Sequence, residues 1–312
     1  MWDVPVFYGL MNDMEKEIKS ILAQAGPLTG AQLLERTQME VLSLWQACRR
    51  EPSIRFESTG RRFLRLDRNV QGYARLSPSI RREFLTYMLV GLDTQIDAVK
   101  SQAESLRKQT QHISRTKCEL AKEAVISAIA PLPAKEIILE KSCFLIAGDV
   151  VYDMSHTVPR PEKSTGEMVQ GSDLDIIVVV EDDLPPEHTD RLDRAIHKRK
   201  HLLLVNDREE IDYLIKTISR VKEQLKFDIF SSMVACKILD EAQFLYGNPA
   251  VFDHVKRLVS EFGIPERLRT LEKQATIERE SAEHQLLQPG VDANRSDYLN
   301  LFYTHAEEDE IY

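Results

Sequence analysis

The 312-residue sequence is poor in cysteine and has no long apolar run. Its four cysteines are widely separated and form no Cys-x-x-Cys pair, which argues against a disulfide framework and a cysteine-rich metal cluster. No stretch approaches the roughly 18 apolar residues of a membrane-spanning helix. The amino terminus also lacks the basic start and small-residue cleavage site of a signal peptide. These absences predict a cytoplasmic protein with no membrane partner.

Basic residues are outnumbered by acidic residues in the whole chain, but one segment has the opposite balance. The chain carries 41 lysines and arginines against 50 acidic residues, which gives a net charge of −9. Between residues 49 and 82, however, ten arginines accompany only three acidic residues. Such segregation predicts that one part of the chain meets an anion and that the remainder does not.

The amino-terminal pattern is typical of three helices followed by a hairpin. Apolar residues at helical spacing stop at Gly26-Pro27, Thr29 can cap a second helix, "GAQLLERT", and "MEVLSLWQACRRE" predicts a third. Alternation in "IRFESTGRRFLRL" then predicts two strands joined by a turn at Thr59-Gly60. Over residues 11–68 this order resembles a winged helix.

The basic residues of this segment are candidate nucleic-acid contacts. A winged helix that binds DNA or RNA would place arginines on the phosphate backbone, and the candidates are Arg49, Arg50, Arg61 and Arg62. The open alternative is a winged helix that contacts protein and leaves these arginines in solvent.

The next segment, residues 78–130, is predicted to be helical almost throughout. No glycine or proline follows Gly91 until Pro131, so we expect one long connecting helix or a helical pair, which could form a homodimer contact. "APLPAKE" then marks a boundary. The predicted domains are a winged helix (1–77), a helical connector (78–130), a catalytic domain (131–255) and a helical carboxyl-terminal region with an acidic tail (256–312).

Two carboxylates stand one residue apart at the start of an apolar run in "GSDLDIIVVVED". Residues 176–180 predict a buried strand, and side chains at positions i and i+2 of a strand share a face. Asp173 and Asp175 would therefore project together. Their charges repel unless a cation lies between them, so this stretch is a candidate metal site.

"CFLIAGDVVYDM" followed by "GSDLDIIVVV" resembles the polymerase-β-like nucleotidyltransferase superfamily, over residues 135–255. Members have a strand ending in a glycine turn, a second strand opening with Asp-x-Asp, and a later carboxylate on a neighbouring strand. Here "KFDIF" supplies Asp228, and "ILDEAQFLYGN" matches the Leu-Tyr segment that follows. The resemblance implies an α/β (α+β) fold with a mixed sheet, in which Asp173, Asp175 and Asp228 hold two Mg²⁺ or Mn²⁺ ions.

One alternative third carboxylate is Asp212 in "EEIDYLI". Apolar residues at positions 211, 214, 215 and 218 have helical spacing, which argues against a strand at that point. Asp228 is therefore the predicted ligand.

The resemblance also implies a substrate, a nucleoside or deoxynucleoside triphosphate, held in part by Gly148, Asp149, Gly171 and Ser172. The chain departs from the family at Asp149, since Gly-Ser or Gly-Gly is usual there and a carboxylate would repel phosphate unless it points away or contacts a metal. The gap between Gly148 and Asp173 is also longer than usual. We expect the excess to form either a flap, in which Arg160 or Lys163 could reach the triphosphate, or an insertion without order.

The acceptor is left open by these motifs. A winged helix joined to a nucleotidyltransferase resembles enzymes of bacterial antiphage and toxin–antitoxin loci, which implies a nucleic-acid-related acceptor and a partner protein from the same operon. The alternatives are a protein-modifying (AMPylating) toxin or antitoxin, and a winged-helix regulator with a non-catalytic nucleotide-sensing domain.

The carboxyl-terminal tail, "FYTHAEEDEIY", adds a self-acceptor to these possibilities. The phenol of Tyr312 could act as an acceptor or primer, because tethering raises its effective concentration at the site. Ser296, Tyr298, Tyr303 or Thr304 could serve instead. In the other reading, the acidic residues of the tail occupy the metal or phosphate site, or are simply solvated.

Overall fold

The computed structural model describes residues 4–162, 165–288, 291 and 300–304, with side chains from residue 13 onward. Helices and strands are mixed along the chain and the largest sheet is mixed, so the predicted α+β class is confirmed at that level. None of the helices in these ranges is both long and apolar enough to cross a membrane.

The helices are α1 (Val4–Ala25), α2 (Gly30–Thr37), α3 (Val41–Arg50), α4 (Ile80–Tyr87), α5 (Ile96–Ile129), α6 (Lys135–Glu140), α7 (Pro186–Asp207), α8 (Ile218–Gln224), α9 (Phe230–Glu241), α10 (Pro249–Glu261) and α11 (Ile264–Leu286). The strands are β1 (Leu28–Thr29), β2 (Ile54–Ser58), β3 (Phe63–Leu66), β4 (Ala74–Ser77), β5 (Met88–Leu92), β6 (Ser142–Ala147), β7 (Pro159–Pro161), β8 (Met168–Gln170), β9 (Leu174–Val180), β10 (Ile211–Thr217) and β11 (Gln243–Gly247). Short 3₁₀ turns cover Asp93–Gln95 and Gly148–Tyr152.

The amino-terminal helices form as their sequence predicts. Helix α1 ends just before Gly26, and Thr29 caps α2 through a capping box with Gln32. These helices and the strands β1, β5 and β2, in that order, surround a core centred on Trp45. Three helices and a small antiparallel sheet are thus present in this part of the chain, and the winged-helix assignment stays a prediction.

The predicted hairpin is wrong in its pairing. Strand β2 pairs with β5, not with β3, and β3 pairs instead with β4. The β3–β4 hairpin and helix α4 are thus inserted in the chain between the paired strands β2 and β5. The helical prediction for 78–130 is also wrong at β5, because this apolar segment lies between β1 and β2 in the sheet.

The inserted hairpin joins the amino-terminal residues to the rest of the chain. Leu64, Ala74 and Leu76 are buried in the same cluster as Cys143 and Leu145 of β6. Residues on the two sides of the predicted boundary after position 77 therefore share cores. Burial of this kind holds the two parts in a defined relative position.

The sheet that carries the candidate site has the strand order β10-β9-β6-β11. Strands β9 and β10 are parallel, while β6 is antiparallel to both β9 and β11. Strands β9, β10 and β11 consequently begin at the same edge of the sheet. Two hydrophobic cores cover its faces, one with α8 to α11 and the other with α5 and α7.

The carboxyl-terminal residues cover helix α3. The ring of Phe302 packs against Trp45 with 5.8 Å between centroids, and the Gln46 amide donates a hydrogen bond of 2.7 Å to the Leu286 carbonyl. Arg50 donates to the Leu287 carbonyl at 3.1 Å. Helix α3 is the helix that a winged helix usually presents to the major groove, and here much of its surface is already engaged.

Candidate active site

Three carboxylates occupy neighbouring positions at the edge of the sheet where β9 and β10 begin. Asp173 directly precedes β9, Asp175 is its second residue, and the parallel ladder pairs Asp175 with Asp212 of β10. Residues paired across a parallel ladder project to the same face, and neighbouring strands lie about 4.8 Å apart. The register therefore brings Asp212 next to the two carboxylates that the sequence singled out.

The strand predicted around Asp228 is wrong. Residues 225–229 link α8 to α9, and Asp228 is an exposed residue of that link. Helix α8 starts after Thr217, at the opposite end of β10 from Asp212. The helix expected around Asp212 is also wrong, because that segment is an edge strand. Asp212 consequently takes the position in the sheet that the resemblance assigns to the third carboxylate.

The site has an excess of negative charge at Asp175. Burial raises the pKa of Asp175 well above its usual value, and the charges of Asp173, Asp149, Asp212 and Glu241 raise that pKa further. Both causes disfavour the ionised carboxylate. A divalent cation would relieve this repulsion, and carboxylate oxygens are the ligands that Mg²⁺ and Mn²⁺ prefer. The donor set therefore fits such an ion in its chemistry.

Two basic side chains of the protein lie against these acids. Arg160 Nη2 is 2.8 Å from Glu210 Oε2 and 3.7 Å from Asp173 Oδ2. Lys200 Nζ is 3.0 Å from Asp212 Oδ1. Among the described residues, no three potential metal ligands converge on one point. When a metal ion binds, Asp173 would have to leave Arg160 and Asp212 would have to leave Lys200.

Arg160 is carried by the segment predicted to be a flap or an insertion without order. Strands β7 and β8 form a two-stranded hairpin there, and Arg160 Nε donates to the Gly171 carbonyl at 3.1 Å. The hairpin thus brings this guanidinium into the acid cluster. Lys163, the other residue predicted to reach the triphosphate, lies outside the described residues.

The glycine turn contacts the acid cluster directly. Gly148 has a φ of +72°, and a Cβ at that position would lie 2.1 Å from Asp175 Oδ2. Gly171, with a φ of +66°, leaves no room for a Cβ beside the His156 carbonyl. Only glycine fits these two positions. The turn that follows β6 therefore lies against the carboxylate at the start of β9.

Asp149 is partly buried and its charge is already paired. Its Oδ2 accepts hydrogen bonds from Arg82 Nη2 at 2.6 Å and from Ser172 Oγ at 2.9 Å, and His156 lies in the same network. Burial raises the pKa of Asp149, but the charges of Arg82 and His156 and the hydrogen bonds from Ser172 and Arg82 together outweigh it, and the pKa is lowered. The repulsion of phosphate expected from Asp149 is thus offset by an arginine of α4. No local sequence signal identifies Arg82, since its partner is 67 positions away.

The candidate nucleic-acid arginines differ in their surroundings. Arg62 binds Glu83 and Glu283, and Arg50 donates to carbonyls after α11. Arg49 lies over the rings of Trp45 and Phe56, and Arg61 is exposed over the ring of Tyr152. Two of the four are therefore used inside the protein, and binding of DNA or RNA stays a prediction.

The predicted self-acceptors are mostly beyond the described residues. Tyr312, Ser296 and Tyr298 lie outside the described ranges. The ring of Tyr303 lies under Arg81 at 5.5 Å, and Thr304 is buried. Modification of the tail stays a prediction.

Comparison with known proteins finds no matching family model, no matching curated protein and no matching solved structure.

Proposed function

We propose that the protein is a metal-dependent nucleotidyltransferase, which moves a nucleoside monophosphate from a nucleoside or deoxynucleoside triphosphate to a hydroxyl acceptor. The observation that supports this most strongly is the ladder register that pairs Asp175 with Asp212, one residue after Asp173 and against the Gly148 turn. This combination of an Asp-x-Asp strand, a neighbouring carboxylate strand and a glycine turn is the arrangement that the motif resemblance implies.

The three carboxylates would hold the cations, with Asp175 between the other two. Two Mg²⁺ or Mn²⁺ ions bound by Asp173, Asp175 and Asp212 would neutralise the triphosphate and lower the pKa of the acceptor hydroxyl. Asp175 would lose its raised pKa as its charge is compensated. The hard oxygen donors exclude softer metals such as Cu⁺ as the preferred ion.

The transfer is a displacement at the α-phosphorus, and side chains of the protein assist it. The acceptor oxygen attacks the α-phosphorus, the bond to the bridging oxygen breaks, and pyrophosphate leaves with both electrons of that bond. Asp212, exposed at the strand edge, accepts the hydroxyl proton. Gly148 allows the backbone to approach the phosphates, and Arg160 and Lys200 can turn from their carboxylates to phosphate oxygens.

The acceptor is proposed on the sequence argument alone. A nucleic-acid-related hydroxyl, in a bacterial defence context, is the proposal that the arginine-rich amino-terminal part supports. Because α3 is covered by the carboxyl-terminal residues, such an acceptor would meet the exposed arginines and not the face of α3 that those residues cover.

One observation favours a second candidate, a regulator that binds nucleotide without catalysis. Arg160 and Lys200 already partner Asp173 and Asp212, as they would in a site that never holds a metal. In that protein a triphosphate would bind the basic side chains, and no phosphorus–oxygen bond would break.

The test separates these candidates and the two possible third carboxylates. Purified protein is incubated with each α-labelled ribo- and deoxyribonucleoside triphosphate and Mg²⁺, and labelled product is measured. Asp173→Ala/Asp175→Ala should abolish transfer. Loss of a residue that only supports a metal ligand costs roughly 10- to 100-fold, so Asp212→Asn, which removes a ligand, should reduce transfer by more than that. Asp228→Asn is the matched control and should stay within about twofold, because that residue is exposed outside the sheet.

Three results would contradict the proposal. Undiminished turnover by the double variant would place the chemistry elsewhere. A loss in Asp228→Asn with none in Asp212→Asn would restore the first assignment of the third carboxylate. Binding of a triphosphate by a wild-type protein that forms no product from any of them would favour the non-catalytic regulator.

A further inference from the structure

A cavity of about 600 Å³ lies beside the acid cluster. It is enclosed by the start of β3, the 3₁₀ turn after Gly148, and helices α9 and α11, so the amino-terminal hairpin and the catalytic sheet both contribute. Its volume falls within the roughly 300–1,000 Å³ of pockets that hold small organic ligands. Its walls come from segments far apart in the chain, so no local motif indicates it.

One wall of the cavity is a stack of flat groups. The rings of Phe63 and Tyr152 lie 4.0 Å apart at an interplanar angle of 18°, and the Arg61 guanidinium lies 4.3 Å from the centre of the Tyr152 ring. Since Phe63 covers one face of Tyr152, Arg61 covers the other. The next face in the stack belongs to Arg61, which is exposed. An arginine plane of this kind stacks well on a nucleobase.

The tyrosine of this stack is held in place by charged neighbours. The Tyr152 hydroxyl donates to Glu241, and Lys237 pairs with the same carboxylate. Burial and the charge of Glu241 raise the pKa of the Tyr152 phenol, so the ring stays neutral at physiological pH. The Tyr152 ring that Arg61 contacts is therefore anchored by the hydrogen bond of its hydroxyl.

The charges of the lining are nearly balanced. Four basic residues (Arg61, Arg62, Lys237 and Arg269) accompany three acidic residues (Asp240, Glu241 and Glu272). Arg62 is already bound to Glu83 and Glu283, and Lys237 to Glu241. A polyanion would gain little electrostatic attraction from this lining. A neutral, planar group that forms hydrogen bonds would lose little free energy on leaving water.

The cavity is close enough to the acid cluster to hold part of the same ligand. Glu241 of its lining contributes to the raised pKa of Asp175. Gln243, also in the lining, begins β11, which is two strands from β9. Two strand spacings amount to roughly 10 Å. A ligand whose phosphates lie at Asp175 can therefore extend into this space.

We propose that this cavity binds the nucleoside half of the triphosphate, with the base stacked on the outer face of Arg61 and its edge facing Gln243, Asp240 and Glu272. The inference rests on the proposed nucleotidyltransferase function and assigns the substrate pocket of that site. It also gives the inserted β3–β4 hairpin a role, since Arg61 directly precedes β3. Arg61 is thus a substrate-binding residue supplied by the amino-terminal part of the chain.

The experiment compares ligands with and without a nucleoside. Equilibrium binding of the four ribo- and four deoxyribonucleoside triphosphates, and of tripolyphosphate, is measured in Mg²⁺ for wild type, Arg61→Ala and Arg61→Lys. Arg36→Ala, an exposed arginine of α2, is the control for loss of charge. Arg61→Ala should weaken binding of the preferred triphosphate by about 5- to 10-fold and leave tripolyphosphate unchanged. Arg61→Lys should be weakened nearly as much, because an ammonium group has no plane on which a base can stack.

Other outcomes would overturn the assignment. An unchanged affinity of Arg61→Ala for every triphosphate, an equal loss for tripolyphosphate, or full rescue by lysine would each show that Arg61 does not stack on a base. Failure of wild type to bind any triphosphate would also overturn it. The proposed function is tested separately by Asp173→Ala/Asp175→Ala. Retained turnover in that variant with an intact Arg61 effect would reject the catalytic assignment and keep the pocket.

Discussion

Replacing Asp175 by asparagine should make the protein more stable while removing its activity. The side chain keeps its shape, but the change removes one member of a group of mutually repelling carboxylates. Active sites often hold groups in arrangements that cost stability, because function requires them. The expectation is therefore opposite in sign to that for most buried substitutions, which destabilise.

The size of the effect follows from the sheet geometry. Carboxylates on adjacent strands lie about 5 Å apart, where two unit charges repel by ~3 kcal/mol at an effective dielectric constant of 20. Solvent reduces this, since the Asp212 side chain is 55% exposed, and Lys200 at 3.0 Å from Asp212 compensates part of it. We therefore expect Asp175→Asn to raise the free energy of unfolding by about 1–2 kcal/mol, or roughly 2–4 °C in Tm.

The pH dependence of the effect has a definite sign. Between the ordinary carboxyl pKa of about 3.9 and the raised value in the folded protein, the folded state binds a proton that the unfolded state lacks. The free energy of unfolding of wild type therefore falls as pH rises through this interval. Asp175→Asn removes that loss, so the stability advantage of the variant should be small in acid and should grow as pH rises.

The assay is thermal unfolding at several pH values, with and without Mg²⁺. A cation at ten times its Kd stabilises the folded state by about 1.4 kcal/mol, so Mg²⁺ should raise the Tm of wild type and should have little effect on Asp175→Asn. Asp228→Asn is the control and should show neither effect. A variant that is less stable than wild type at pH 8, or that responds equally to Mg²⁺, would refute the reasoning.

Two further predictions concern the arginines of the amino-terminal part. Arg82→Met should lower the free energy of unfolding by about 3 kcal/mol, because it leaves the Asp149 carboxylate without its main counter-charge. Urea denaturation should show that Arg82→Met/Asp149→Asn recovers most of this loss. Absence of any recovery would contradict the pairing. Arg49→Ala should weaken binding of DNA and RNA across sequences and flatten its salt dependence, as measured by fluorescence anisotropy. Absence of any wild-type binding at low salt would make the amino-terminal part a protein-contact module.

Local sequence signals predicted the elements whose formation depends on near neighbours. The stop of α1 before Gly26, the capping box at Thr29 and the buried strand β9 all agree with the structure, because each depends on backbone restrictions or periodicity within a few residues. The pair Asp173 and Asp175 could be identified for the same reason: one strand puts both on one face.

The third carboxylate could not be chosen in this way. Positions 211, 214, 215 and 218 are apolar at helical spacing, yet the segment is an edge strand whose pairing with β9 supplies the hydrogen bonds of its backbone. "KFDIF" has the composition of a strand, but no neighbouring strand is available to it between α8 and α9. Strand formation requires a partner from elsewhere in the chain, and neither segment encodes its own.

The tertiary structure also decided which strand pairs with β2 and which acidic residues pair with the arginines of the basic segment. Short-range alternation predicts the strand at 54–58, but its partner is β5, whose apolar residues complete the amino-terminal core. Strands β3 and β4 bury their apolar residues in the core that also contains residues of β6 and β9. In the same way, two arginines of the basic segment pair with acidic residues distant in sequence. Arg62 pairs with Glu83 and Glu283, and Arg82 pairs with Asp149. The sequence by itself determined the local elements, the Asp-x-Asp pair and the arginine-rich segment. Only the folded chain decided which strands pair, which carboxylate joins the pair and which arginines remain exposed, because each depends on contacts between residues far apart in sequence.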